Sequence, residues 1–252
     1  MEKVSRPPRH YHLAIPLGGY CEIIMLIPNL TLDNSALLVI DVINSCAQRK
    51  YEDSARNIHF NKIRQMVPAL SAFITSFKQL GGRVILTTTV PWQESFLPGN
   101  INELYRNNAE ARYWSQDTTG HAERFYQIPT DGALVITKNS YDAFGNEDLI
   151  HALEDMHVRY VVVAGVFGDG CVMASICCGF SKGYHLIIAK DLIETTDDDA
   201  RQTLQQRLKQ RTWPLMYGTT IESRQILAAF SPKKPGVANN TGSDGQRQRR
   251  WW

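Results

Sequence analysis

The sequence predicts an α/β protein, a three-layer α/β/α sandwich around a six-stranded parallel sheet. Three observations carry that expectation. Short apolar, β-branched runs alternate with longer stretches of helical period from residue 36 onward. Glycine pairs and glycine-rich turns separate the two kinds of segment. The chain has 252 residues, 43% of them apolar and 21% charged, which suits one domain with a large core.

Taken in order, the first strand is Ala36 to Ile40, and a long helical pattern follows from Asn57 to Leu80 with Ile63, Val67, Leu70, Phe73, Ile74 and Phe77 on one face. Pro68 should kink that helix or mark a break. Gly81-Gly82 closes it, and Arg83 to Thr89 reads as the second strand. Val90 to Asp131 is the least periodic stretch; its aromatic residues, Trp92, Phe96, Tyr105, Tyr113, Trp114, Phe125 and Tyr126, suit an excursion that covers a pocket or one packed onto the body. Next come a strand from Ala133 to Thr137 ended by Lys138, a short helix near Asn146 to Leu153, and a strand from Tyr160 to Ala164. The turn Gly165 to Gly170 then leads into a helix that starts at Cys171. A fifth strand at Leu186 to Ala189, a helix at Asp198 to Lys209, a last strand at Pro214 to Tyr217 and a closing helix at Ile221 to Ala229 complete the pattern. Residues 1–33 read as an arm or hairpin, 34–230 as the folded domain and 231–252 as a disordered tail ending in an Arg/Trp cluster.

Composition excludes several functions. A net charge of +2 is too small to argue for nucleic acid or an anionic membrane, and no apolar run approaches the length of a membrane span. Five cysteines form no zinc-binding spacing, so reduced thiols in a cytoplasmic setting are expected, with no metal and no cofactor. His10 and His12 lack an acidic or cysteine partner, and the sequons at Asn29 and Asn239 are chance matches in such a setting. No G-x-G-x-x-G turn follows the first strand, which argues against a dinucleotide-binding domain, and Asp169 and Met173 break the glycine pattern around an α/β-hydrolase nucleophile.

Three strand ends carry chemistry. Ligands in an open α/β sheet bind beyond the carboxyl ends of parallel strands, where Asp41, Lys138 and the Gly165–Cys171 turn all stand. A cysteine at a helix N-terminus faces unpaired backbone N–H groups and the positive end of the helix dipole, which favour the thiolate and should lower the pKa. The plainer reading, a small buried core cysteine, suits Cys177 and Cys178 further along the helix.

With these residues in place, the sequence resembles the isochorismatase-like cysteine hydrolases, a Rossmann-like family that includes nicotinamidases, N-carbamoylsarcosine amidohydrolase, ureidoacrylate amidohydrolase and biuret hydrolase. The matching pieces are LLVIDVINS, VITKNSYDAF and VAGVFGDGCVMASICCGFSKGYHLIIAKDLIETT, and the resemblance spans about Asn34 to Ala229. It implies a catalytic triad of Asp41 as proton carrier, Lys138 as cation and Cys171 as nucleophile. It also implies a cis peptide joining Val166 to Phe167, an oxyanion hole made by the Phe167 and Cys171 amides, and a pocket including Asn44, Trp92, Tyr141 and Phe144. A homodimer or homotetramer acting on a small molecule is the implied form.

The chain departs from the family pattern in places. Gly168 replaces a common threonine, Ile43 replaces a common glutamine, and Thr89-Val90-Pro91-Trp92 stands where nicotinamidases carry a metal-binding Asp-x-His, which disfavours nicotinamidase. The expected activity is hydrolysis of a C–N bond in an amide, ureide or carbamoyl compound. The alternatives are isochorismatase-type vinyl-ether hydrolysis, which needs no cysteine nucleophile, and a non-catalytic binding protein on the same fold.

Overall fold

The structure is a computed structural model that describes residue 27 and residues 29–109 and 114–231. The expectations for the arm before residue 27, His10 and His12, Tyr113, the second sequon and the tail beyond residue 231 fall outside the described residues. Six parallel strands form one sheet: β1 (Ser35–Ile40), β2 (Arg83–Thr89), β3 (Leu134–Lys138), β4 (Tyr160–Val166), β5 (His185–Glu194) and β6 (Gly218–Ile221). Their spatial order is β3-β2-β1-β4-β5-β6. The chain steps outward from β1 to β3, then returns to the other side of β1 with β4, so the direction of winding reverses between β1 and β4. In a doubly wound sheet the crevice for a ligand opens at that reversal.

β1 and β4 are buried along their whole length because both sheet faces are covered. Leu37 and Val39 enter one core with Ile63, Val67, Leu70 and Phe77 of α1 (Asn61–Gln79), while Ala36, Leu38 and Ile40 enter the other with Val172 and Ile176. That alternation is the period of two expected of a strand. Of the kink or break expected at Pro68, the break does not occur, since α1 continues through it; Pro68 lies on its exposed face, where water can satisfy the carbonyl left without an amide partner.

The excursion between β2 and β3 is more ordered than its aperiodic sequence suggests. It contains α2 (Gly99–Asn107), and Leu97, Ile101 and Tyr105 form a small apolar cluster of their own with Val90, Trp92 and Trp114. Helix α3 (Glu147–Asp155) is capped by the Asn146 side chain, and α4 (Cys171–Ser181) follows β4. β5 extends well past the expected Leu186–Ala189, because its ladder with β4 shifts register between Val163 and Gly165 and resumes at Ile193.

The expected strand at Pro214 to Tyr217 is wrong. Helix α5 (Asp199–Arg207) passes through a π turn at Leu208–Thr212 into α6 (Trp213–Met216), with Pro214 at its start, and the last strand is Gly218–Ile221. Leu215 and Met216 are exposed, so the apolar run that suggested a strand faces solvent. Helix α7 (Ser223–Phe230) closes the described chain.

Two glycines fix how closely the loop after β4 packs. Gly165 has φ +118° and pairs with Ile40, and a Cβ there would collide with the Ile40 carbonyl oxygen; no other residue lets β4 leave the sheet this close to β1. Gly168 donates its N–H to Glu194 O at 2.9 Å, and a Cβ on it would collide with Oε1 of Gln205, a fully buried α5 side chain whose Nε2 donates to Glu194 Oε1. The space that a threonine would need is therefore filled by Gln205. Gly168→Thr is expected to destabilise the fold by about 1–3 kcal/mol through overpacking, read as a lowered urea midpoint. Adding Gln205→Ala should recover part of that loss, and a Gly168→Thr protein as stable as its parent would contradict this packing.

Candidate active site

The site forms where β1 and β4 diverge. Asp41 ends β1 with φ +52°, a left-handed conformation uncommon outside glycine, and is buried. Its Oδ2 lies 2.6 Å from Lys138 Nζ. Its Oδ1 accepts from Thr87 Oγ1 at 2.7 Å, and Thr87 Oγ1 accepts in turn from the Asp41 N–H at 3.1 Å. Thr87 stands on β2, the strand between Asp41 and Lys138, so the lysine side chain passes over β2 to reach its partner. Lys138 Nζ also donates to Ser140 O at 2.8 Å. Both charged groups are only 2% exposed, so each requires the other.

Cys171 is the first residue of α4, whose N-terminus carries no side-chain cap. Its thiol is within hydrogen-bonding reach of Asp41. Ser175 Oγ donates to Cys171 O at 2.7 Å and accepts from the Ala143 N–H at 3.0 Å, which ties this first turn to the loop after β3. The structure thus brings Asp41, Lys138 and Cys171 together. The Val166–Phe167 peptide is cis, and the Phe167 and Cys171 amides belong to the loop that leads into the helix.

The electrostatics differ from the expectation for the thiol. Burial pushes the Cys171 pKa up, Lys138 pulls it down, and the Asp41 carboxylate raises it again; the result lies above the ordinary thiol range, not below. The helix dipole does not prevail because the thiol faces a carboxylate in a buried setting. Burial pushes the Lys138 ammonium down, but the Asp41 carboxylate outweighs it, so Lys138 stays cationic. A second thiol, Cys46, shares the site; burial and then Asp41 push it up to about 12. Sequence reasoning missed Cys46, although it lies in the same loop as Asp41.

Asp41, Cys46 and Cys171 line a cavity of about 930 Å³ that also includes Trp92, Tyr105, Glu123, Tyr141, Phe167 and Arg201. Trp92 and Tyr141 stack with centroids 5.9 Å apart, and Tyr105 joins them by accepting from Trp92 Nε1 at 3.1 Å and lying 3.0 Å from the Tyr141 hydroxyl. Two residues expected in the pocket lie elsewhere. Asn44 donates to His121 O at 2.8 Å and accepts from Gln48 Nε2 at 2.9 Å, so its amide clips two loops together. Phe144 is fully buried against Tyr184, with centroids 5.4 Å apart, because the apolar core behind α4 takes it.

Ion pairs frame the cavity. Arg201 holds Asp169 of the loop through Nε and Nη2 at 2.7 and 2.8 Å, and its guanidinium lies 5.1 Å above the Phe167 ring. Lys50 pairs with Asp117 at 3.2 Å, Arg56 with Asp53 at 2.7 Å and Arg64 with Glu52 at 2.7 Å. Among the described residues, no group of three or more His, Cys, Asp or Glu side chains is placed to hold a metal ion, and no helix is long and apolar enough to cross a membrane.

Comparison with known proteins agrees with this architecture. Residues 35–220 match the model of the isochorismatase domain. A secreted isochorismatase effector, Isc1, of Verticillium dahliae is 23% identical over 197 residues, which cover 77% of this chain and 90% of that protein. The solved cysteine hydrolase of Pseudomonas syringae pv. phaseolicola superposes with a TM-score of 0.64 at 18% identity, covering 79% of this chain and 93% of that one. N-carbamoylsarcosine amidase of Thermoplasma acidophilum superposes with a TM-score of 0.53 at 17% identity, covering 75% and 95%. The domain match takes in β1 to β5, all of β6 but its last residue, and Asp41, Lys138 and Cys171, and the chain belongs to the isochorismatase family of hydrolases.

Proposed function

We propose that this hydrolase cleaves a C–N bond in a small amide, ureide or carbamoyl compound through a thioester on Cys171. One observation carries the reading: a buried carboxylate, held on one oxygen by Lys138 and on the other by Thr87, stands beside a cysteine at an uncapped helix N-terminus. Asp41 takes the S–H proton as Cys171 Sγ bonds to the substrate carbonyl carbon, and the carbonyl oxygen gathers charge against the Phe167 and Cys171 amides. As the C–N bond breaks, Asp41 returns the proton to the leaving nitrogen. Asp41 then takes a proton from water as the water oxygen attacks the thioester, and it passes that proton to the Cys171 sulfur as the C–S bond breaks and the acid product leaves. Lys138 stays charged throughout and compensates each negative charge as it moves. The raised thiol pKa suits this order, because the proton leaves sulfur only as the bond to carbon forms.

Vinyl-ether hydrolysis is the second reading, favoured by the description of the Verticillium relative as an isochorismatase effector. It gives no role to a thiol beside a proton acceptor, so it accounts for less of the site. A reducing, cytoplasmic setting suits a chain whose four described cysteines are all free, although that relative is described as secreted. A homodimer or homotetramer is supported by the exposed Phe180, Leu215 and Met216, and light scattering tests it.

Two outcomes test the mechanism. Ammonia release across a panel of ureides, carbamoyl amino acids and simple amides should identify a substrate on which Cys171→Ser loses turnover by several orders of magnitude, whereas Cys177→Ser keeps it. Substantial turnover by Cys171→Ser would move the vinyl-ether reading ahead. Separately, alkylation by iodoacetamide should be slow at pH 7 for the folded enzyme's Cys171 and faster for the urea-unfolded chain, with the folded rate climbing only above the usual thiol range. Rapid alkylation of folded Cys171 at pH 7 would mean a resting thiolate and contradict the order of proton transfer.

A further inference from the structure

We propose that Glu123 sets substrate specificity, selecting amides or ureides whose distal end carries N–H donors, neutral or cationic, and rejecting those that end in a carboxylate. The inference rests on the hydrolytic reading and adds the chemical class of the substrate. Glu123 lines the cavity from the loop before β3, and its backbone carbonyl accepts from Thr88 Oγ1 at 2.6 Å, which fixes that loop to β2. Its carboxylate is the exception in the charge pattern already described. The cavity's cations, Lys50, Arg56 and Arg201, each face a carboxylate of the protein, and Asp41 has Lys138. Glu123 has no such cation among the described residues, and its Oε2 is buried with no hydrogen-bond partner.

A carboxylate oxygen kept from water without a donor is unfavourable, and an incoming N–H group relieves it. Ureido, carboxamide, ammonium and guanidinium groups all present such donors, and the π faces of Trp92 and Tyr141 favour a cation beside them. A substrate carboxylate meets the opposite situation. It finds Glu123 repelling it and the wall cations already engaged. A vinyl ether that carries carboxylates fits the cavity poorly for the same reason, so the charge pattern bears on the reaction class as well as on the substrate.

The test uses three ureides of one chain length: 4-ureidobutylamine, butylurea and 4-ureidobutanoate. Binding is measured by calorimetry on the full-length Cys171→Ser protein with and without Glu123→Gln, and turnover on the native enzyme with and without Glu123→Gln. Circular dichroism and the thermal midpoint check that each variant folds. The expected order is amine, then neutral, then carboxylate, with at least tenfold between the first and last. Glu123→Gln, which keeps shape and removes charge, should weaken the amine by about tenfold to a hundredfold and compress the series. A series unchanged by Glu123→Gln, a preference for the carboxylate, or no binding of any member to folded protein overturns the inference. Glu123-dependent binding without turnover by the native enzyme leaves the specificity standing and counts against hydrolysis at Cys171. Turnover that ignores Glu123 does the reverse.

Discussion

The ion pair between Asp41 and Lys138 is the constraint on which the rest of the site depends. Both charges are almost wholly shielded from bulk water, so removing one partner alone leaves an uncompensated buried charge at a cost of about 3–5 kcal/mol. To meet, the two residues must sit at the ends of β1 and β3 with β2 between them, and β2 must offer something small and polar in the gap. Thr87 does this, filling the space and binding the second carboxylate oxygen. The pair therefore fixes three strand ends relative to one another, and the crevice beside β4 inherits that rigidity.

In the proposed mechanism the pair provides a proton acceptor held beside the thiol. A thiol whose pKa is raised is a poor nucleophile by itself, and a thiolate beside Asp41 would place two anions together. The proposed mechanism avoids both by coupling proton loss to bond formation, with Lys138 carrying the compensating charge. Around this centre the loop from Gly165 to Gly170 is held from outside. Arg201 grips Asp169 and covers Phe167, and Gln205 fills the space beside Gly168. The chain's departure from the threonine pattern at Gly168 is thus matched by a long side chain from the next helix.

The sheet was legible in the sequence because its central strands are continuous apolar runs whose polar punctuation falls at the carboxyl ends. Asp41, Lys138 and Cys171 stood out for that reason. The thiol's pKa was misread because the helix dipole is a local property, whereas burial and the facing carboxylate come from residues more than a hundred positions away. Thr87, Arg201 and Gln205 left no signal, since their roles lie in contacts made only after folding. Asn44 and Phe144 match the family motifs, but their side chains hold loops and core here. Pro214 to Tyr217 looked like a strand by apolar content alone, and the proline that starts α6 was the overlooked sign.

Peptide mapping after rapid acid quench of the native enzyme turning over its best substrate tests the central claim most directly. The account predicts a mass increase equal to the substrate's acyl group on the peptide that contains Cys171 and on no other cysteine. Steady turnover with every cysteine peptide unmodified, or an acyl group found on Cys46 instead, would contradict it.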